Sequence, residues 1–177
     1  MTTDFEIKDG VLRRYLGHAE HVIVPDGVCV IGRNAFSRPV FDDGRIIMKG
    51  FACIREVTLP KTVKEIGTGA FERCEHLERI RFSEELTAIG PSAFFACRSL
   101  QSVSLPSKVE TIGRYAFTGC VELESLHLPA GLLWIGYSAF TACDKLKKVQ
   151  LPAHVRIERL SAFDRSTALT RTPTEKA

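Results

Sequence analysis

The sequence predicts an α/β repeat fold, a solenoid of about six stacked coils, and three observations predict it. Phe71, Phe94, Phe117, Phe140 and Phe163 recur every 23 residues, each directly after an alanine. The pairs Ile66-Gly67, Ile89-Gly90, Ile112-Gly113 and Ile135-Gly136 keep that spacing, as do Cys74, Cys97, Cys120 and Cys143. So do the apolar triplets Leu77/Ile80/Phe82, Leu100/Val103/Leu105, Leu123/Leu126/Leu128 and Leu146/Val149/Leu151. Agreement across this many columns marks a repeated unit, which buries its apolar side only by stacking on its neighbours.

The elements follow in chain order. Phe5 to Tyr15 alternates around Asp9-Gly10, a hairpin signal suited to shielding the first coil. With Ala19/Val22/Val24 and Pro25, residues 1–25 read as an N-terminal cap and first strand. Val28 to Phe36 is an early copy of the isoleucine–phenylalanine half, which makes Phe36 the first member of the phenylalanine ladder. From Phe36 to Phe71 is 35 residues, one period plus 12, so residues 37–50 are an insertion, with Asp43-Gly44 as a hairpin turn. Its Phe41, Ile46, Ile47 and Met48 suit either packing down or meeting a partner.

Within each later repeat, Val103 and Leu105 show the alternation of a half-buried strand, and Pro106 ends it because it cannot donate to the ladder. Val109 to Phe117 carries the chain round the far side. There Gly113 is expected to adopt a backbone angle that other residues resist, and Phe117 to fill the coil's centre. Residues 155–169 form a degenerate last repeat, with Glu158-Arg159 where Ile-Gly is due and Ser166 where cysteine is due. Residues 1–169 thus read as one domain and 170–177 as a flexible tail.

Composition removes several function classes. The net charge of +3 is too small for a nucleic-acid binder, and no apolar run approaches the ~18 residues of a membrane span. The start at Met1 has no basic n-region or apolar h-region, so the cytoplasm is expected if Met1 is the native start. Six cysteines in 177 residues fall well below the roughly 8–10% of a disulfide scaffold.

The unit Val-x-x-Ile-Gly-x-x-Ala-Phe-x-x-Cys-x-x-Leu-x-x-Val-x-Leu-Pro resembles the BspA-like leucine-rich-repeat family of bacterial proteins. It is carried by residues 63–83, 86–106, 109–129 and 132–152, with partial copies at 28–60 and 155–169. The resemblance implies a right-handed leucine-rich-repeat solenoid, with a parallel β-sheet on the concave face and short strands or turns on the convex side. It also implies a non-catalytic, protein-binding role, with adhesion or host contact at the cell surface for several members.

No catalytic constellation is visible. The four in-register cysteines read as small buried thiols stacked along the core. Side chains in such a column run parallel instead of converging on a disulfide, and a spacing of 23 does not build a tetrahedral metal site. His18-x-x-His21 is a two-ligand fragment at most, and it lies off any single helical face. Neither a metal nor a cofactor is expected, and no enzyme activity.

Two surfaces remain as candidate binding sites for a protein partner. On the strand face, Arg79, Arg81, His127 and Lys148 could meet an acidic partner. On the other, Leu133, Trp134, Tyr137, Ile157 and Leu160 gather where earlier coils are polar. That cluster is either covered by the C-terminal segment or open to a partner, a second copy included. The competing function is a passive structural segment of a larger surface assembly.

Overall fold

The computed structural model describes residues 4–158 and 162–173. The chain opens with two strands, β1 (Phe5–Lys8) and β2 (Val11–Tyr15), paired antiparallel around Asp9-Gly10. It then alternates between two sides: β3 (His21–Ile23) on the triplet side, β4 (Val30–Ile31) on the isoleucine side. An antiparallel hairpin interrupts, formed by β5 (Ser37–Asp42) and β6 (Arg45–Gly50). Alternation resumes with β7 (Glu56–Thr58), β8 (Glu65–Ile66), β9 (Arg79–Arg81) and β10 (Ala88–Ile89). It continues with β11 (Ser102–Ser104), β12 (Thr111–Ile112), β13 (Ser125–His127) and β14 (Trp134–Ile135). The last three strands are β15 (Lys148–Leu151), β16 (Arg156–Ile157) and β17 (Ala168–Arg171).

This corrects the expected α/β class. The molecule is a β-solenoid, with no helix among the described residues and about seven turns rather than six. The more continuous sheet is also not the triplet one. Eight strands run in the order β1-β2-β4-β8-β10-β12-β14-β16 on the isoleucine side, while the triplet side divides into β3-β7-β9, β11-β13 and β15-β17. A third ladder runs through the turns, where each phenylalanine N–H donates to the alanine carbonyl of the next coil. Phe71 bonds Ala93 at 2.8 Å and Phe94 bonds Ala116 at 2.7 Å. Three ladders per coil satisfy the backbone groups that an irregular turn would otherwise bury unpaired.

The core is a column. Phe36, Phe71, Phe94, Phe117, Phe140 and Phe163 stack nearly parallel, with successive ring centroids 4.6, 5.1, 5.0, 5.1 and 5.0 Å apart. Tyr15 lies 5.2 Å from Phe36 at the other end of the stack. A buried aromatic pair of this kind adds about 0.5–1.5 kcal/mol beyond area burial. Beside the rings, Cys74, Cys97, Cys120 and Cys143 are buried, and each thiol donates to the phenylalanine carbonyl of the preceding coil. These carbonyls belong to Phe36, Phe71, Phe94 and Phe117, at 3.2–3.3 Å. Burial pushes Cys74 and Cys143 up to about 12, and Cys97 and Cys120 well above the ordinary range. Thiols held protonated are poor nucleophiles.

The expected backbone angle at Gly113 is also corrected. Gly113 is not among the positive-φ glycines; the left-handed residues are Tyr115 two positions on (φ 58) and Gly119 (φ 78). Gly113 is there for closeness, since a Cβ would fall 2.5 Å from the Pro91 nitrogen. Gly136 is equally tight, 2.5 Å from the Arg114 nitrogen.

The last coil slips in register. Ile157 pairs with Ile135 and Arg156 with Trp134, so Ile157 and Glu158 occupy the Ile-Gly places that had been assigned to Glu158-Arg159. The Glu158 N–H donates to Ile135 O at 2.8 Å, as Gly136 N–H does to Ile112 O. Asp164, and not Ser166, takes the cysteine place: Thr167 N–H bonds its carbonyl as Leu146 N–H bonds that of Cys143. Thr170 and Arg171, where a flexible tail had been expected to begin, lie in β17 and pair with Gln150 and Leu151.

Candidate functional site

The triplet strands place alternate side chains outward, so Arg79 and Arg81 of β9 leave the surface two residues apart. Both turn to Glu56 on the neighbouring strand. The Arg81 Nε donates to Glu56 Oε1 at 3.0 Å, and Arg79 Nε lies 3.7 Å from Oε2. His21 Nδ1 approaches the same carboxylate at 3.4 Å. The Arg81 hydrogen bond, with the charges of Arg81 and Arg79 behind it, holds the Glu56 carboxyl below its ordinary range. The two arginines therefore share one acid and leave a net single positive charge.

His127 and Lys148 stand at the other end of this face, with β11 between them and the arginines, so the four candidate residues named there do not form one cluster. His127 lines a shallow cleft of about 570 Å³ with Gln150, Pro152, His154 and Pro173. Lys148 sits beside Lys145, Lys147 and Glu124. Lys145 bridges Glu122 at 2.6 Å and Glu124 at 3.1 Å, and Lys147 donates to the Asp144 carbonyl. Such exposed pairs between coils align neighbours more than they stabilise them.

On the isoleucine side, the column before the buried isoleucines runs Val30, Glu65, Ala88, Thr111, Trp134 and Arg156. Trp134 is 38% exposed and Leu133 beside it 53%. The register slip removes Ile157 from this surface, because it pairs with Ile135 and packs against the core. Leu160 lies outside the described residues. Tyr137 belongs to a different group. Its ring meets Tyr115 edge-on at 5.4 Å, and its N–H donates to Glu158 Oε2 at 3.1 Å. Arg114 closes a two-point bridge to the same carboxylate, with Nε at 2.8 Å from Oε2 and its second contact to Oε1. The expected five-residue cluster thus resolves into an open Leu133–Trp134 pair and a Tyr115–Tyr137–Arg114–Glu158 group. Glu158 was missed because a fixed 23-residue ruler puts it one column away, and Tyr115 because it stands in a different column from Tyr137, between Ser92 and Ser138.

Among the described residues no three His, Cys, Asp or Glu side chains are grouped to hold a metal ion. The alanine–phenylalanine and glycine columns, the thiol column and the proline-ended triplets are the pattern of a BspA-type leucine-rich-repeat region, which matches residues 48–170 in six copies. The chain belongs to the BspA-type leucine-rich-repeat family. A leucine-rich-repeat protein of T. pallidum superposes with a TM-score of 0.73 at 30% identity, over 84% of this chain and 68% of that one. One from Eubacterium ventriosum gives 0.71 at 22% identity, over 95% and 49%. A leucine-rich cell surface protein of Faecalibacterium prausnitzii gives 0.61 at 23%, over 94% and 51%. The chain therefore spans about two-thirds of the first of these proteins and about half of the other two. No curated protein matches. Among the described residues no helix is long and apolar enough to cross a membrane.

Proposed function

We propose that the chain is a non-enzymatic protein-binding module that docks a protein partner on the Leu133–Trp134 pair. The exposure of these two consecutive apolar side chains carries the reading. On strands of two residues, the isoleucine faces the core and its predecessor faces out. A tryptophan in that outward place, with a leucine before it, leaves 38% of its surface open where the earlier coils carry smaller or charged residues. Tryptophan, tyrosine and arginine are the side chains that dominate association energy, and Trp134 has Arg156 beside it in the ladder. His127 and Lys148, and the net positive Arg79–Arg81–Glu56 group, supply a second face for an acidic surface. Adhesion or host contact suits a family with cell-surface members. In this reading residues 1–169 work as one right-handed domain, its ends closed by residues 1–25 and 155–169.

The test is Trp134→Ala, with chemical cross-linking to partners in the source cell and a thermal melt on the same preparation. Recovery of the specific partner should fall at least tenfold while the melting temperature stays within a degree or two. Equal recovery would sink the proposal in favour of a passive repeat segment. A large fall in melting temperature would show Trp134 to be covered by the chain itself.

A further inference from the structure

The hairpin of β5 and β6 interrupts the repeat, and its two faces differ. Its base is anchored. Ser37 and Gly50 are buried, Ser37 Oγ donates to the Glu72 carbonyl at 2.6 Å, and a Cβ on Gly50 would fall 2.3 Å from the Arg73 backbone. Side chains alternate along a strand, so Phe41 and Ile46 share the outer face, where they are bare at 81% and 66% exposure. The other face carries the cross-strand pairs Arg38↔Lys49, Val40↔Ile47 and Asp42↔Arg45. This face lines a cleft of about 430 Å³ together with Arg73, Glu75 and His76 of the following coil. The volume is that of a small-molecule site.

Charge and apolar surface are sorted along this cleft. At its base Arg38 and Lys49 stand as a pair, next to Gly50 and so next to Arg73. Val40 and Ile47 follow as an apolar pair, about 7 Å further along the strands. Among the described residues no carboxylate pairs with Arg38, Lys49 or Arg73, and Arg38 lies over the Phe51 ring at 5.9 Å. Of the two acids in the cleft, Glu75 has Arg98 at 3.9 Å, and Asp42 stands beyond the apolar pair, across from Arg45. Arg73 is also unusual in its column. Arg73, Ala96, Gly119 and Ala142 are all left-handed, with φ of 56, 57, 78 and 53, and the other three are small. The same turn is made elsewhere with alanine or glycine, so its geometry does not call for an arginine.

We propose that this cleft binds a small amphipathic carboxylate. The Arg73 guanidinium takes the carboxylate at the base, with Arg38 and Lys49 beside it, and the ligand's acyl chain or ring lies along Val40 and Ile47. A planar guanidinium holds a carboxylate through two parallel N–H donors. The apolar pair removes the body of the ligand from water. The site is separate from the Leu133–Trp134 surface and does not depend on it.

Isothermal titration calorimetry of octanoate into the full chain tests it, with octanol and octylammonium as controls for charge. Octanoate should bind one to one, and the two controls at least about tenfold more weakly. A tripeptide ending in leucine with a free carboxylate separates a free acid from a chain terminus, and should bind more weakly than octanoate. Arg73→Gly should weaken octanoate at least about tenfold while the melting temperature holds or rises, because glycine suits the left-handed place, as at Gly119. Val40→Thr/Ile47→Thr should weaken it by a similar factor and keep the wild-type circular dichroism spectrum. Trp134→Ala should leave it unchanged. No octanoate binding through the millimolar range, equal binding of octanol, tighter binding of the tripeptide, or affinity kept in Arg73→Gly overturns the proposal. So does a melting temperature that falls with Arg73→Gly, which would make the arginine a structural residue. Octanoate binding lost through Trp134→Ala would move the site to that surface and overturn it too.

Discussion

Cys97 and Cys120 lie in the middle coils, each with a coil stacked on either side and a thiol donated to the preceding phenylalanine carbonyl. The matching place in the last coil holds Asp164, whose Oδ2 accepts the Cys143 N–H at 3.2 Å. The glycine place there holds Glu158, and Thr167 takes the leucine place, its hydroxyl bonded to the Leu146 carbonyl at 2.9 Å. Leu169, in the valine column, is 45% exposed. A middle coil is constrained twice, from above and below, so each column admits one kind of side chain. A last coil is constrained once, and polar groups enter wherever one neighbour can satisfy them. The strictness of the repeat thus measures how many neighbours a coil has.

Alkaline pH should break this contrast most strongly. The unfolded thiols ionise near their ordinary value of 9.0, whereas folded Cys74 and Cys143 hold their protons to about 12, and Cys97 and Cys120 are also raised. Between those values the unfolded chain binds fewer protons, so stability falls as pH rises. The loss is about 1.4 kcal/mol per thiol per pH unit. Urea midpoints should drop steeply from pH 9 to 10, and Cys97→Ala/Cys120→Ala, which removes two of the four thiols, should halve the slope. A slope unchanged by that double substitution would place the alkaline loss elsewhere.

The ring stack comes next. Phe94→Ala should cost about 3–5 kcal/mol in denaturant unfolding, because its ring lies between Phe71 and Phe117. Phe163, stacked on Phe140 and slightly exposed, should cost clearly less. Equal losses would mean that the end coil is as constrained as the middle. Gly113→Ala should cost about 1–3 kcal/mol through overpacking against Pro91. Lys108→Ala should have the smallest effect. It removes an exposed 2.6 Å bridge to Glu85 in the middle of the molecule and should leave the thermal midpoint unchanged.

How far the sequence could be read follows from the same physics. Phe, Ile, Leu and Cys columns were legible because stacking forces identical neighbours into identical slots. Gly113 was legible as a column and misread as a mechanism, since a repeated glycine does not reveal whether conformation or clearance requires it. Glu158 and Asp164 escaped because the last coil shortens between Val155 and Ile157 and again after Phe163, which moves those columns against a fixed ruler while Phe163 stays 23 residues from Phe140. The candidate sites were legible as residue types only. Arg79 and Arg81 looked like two available cations, and only the fold set Glu56 between them.

The period by itself determined that the chain is a stacked repeat, which residues face the core and where an insertion interrupts. These follow from side-chain volume and spacing, which a linear pattern records. Tertiary structure alone decided the class as all-β, the register of the last coil, the separation of Tyr137 from Trp134, and the bare face of the 37–50 hairpin. Those depend on which groups meet across coils, through hydrogen bonds and charge pairs 20 or more residues apart, and no spacing rule encodes such meetings.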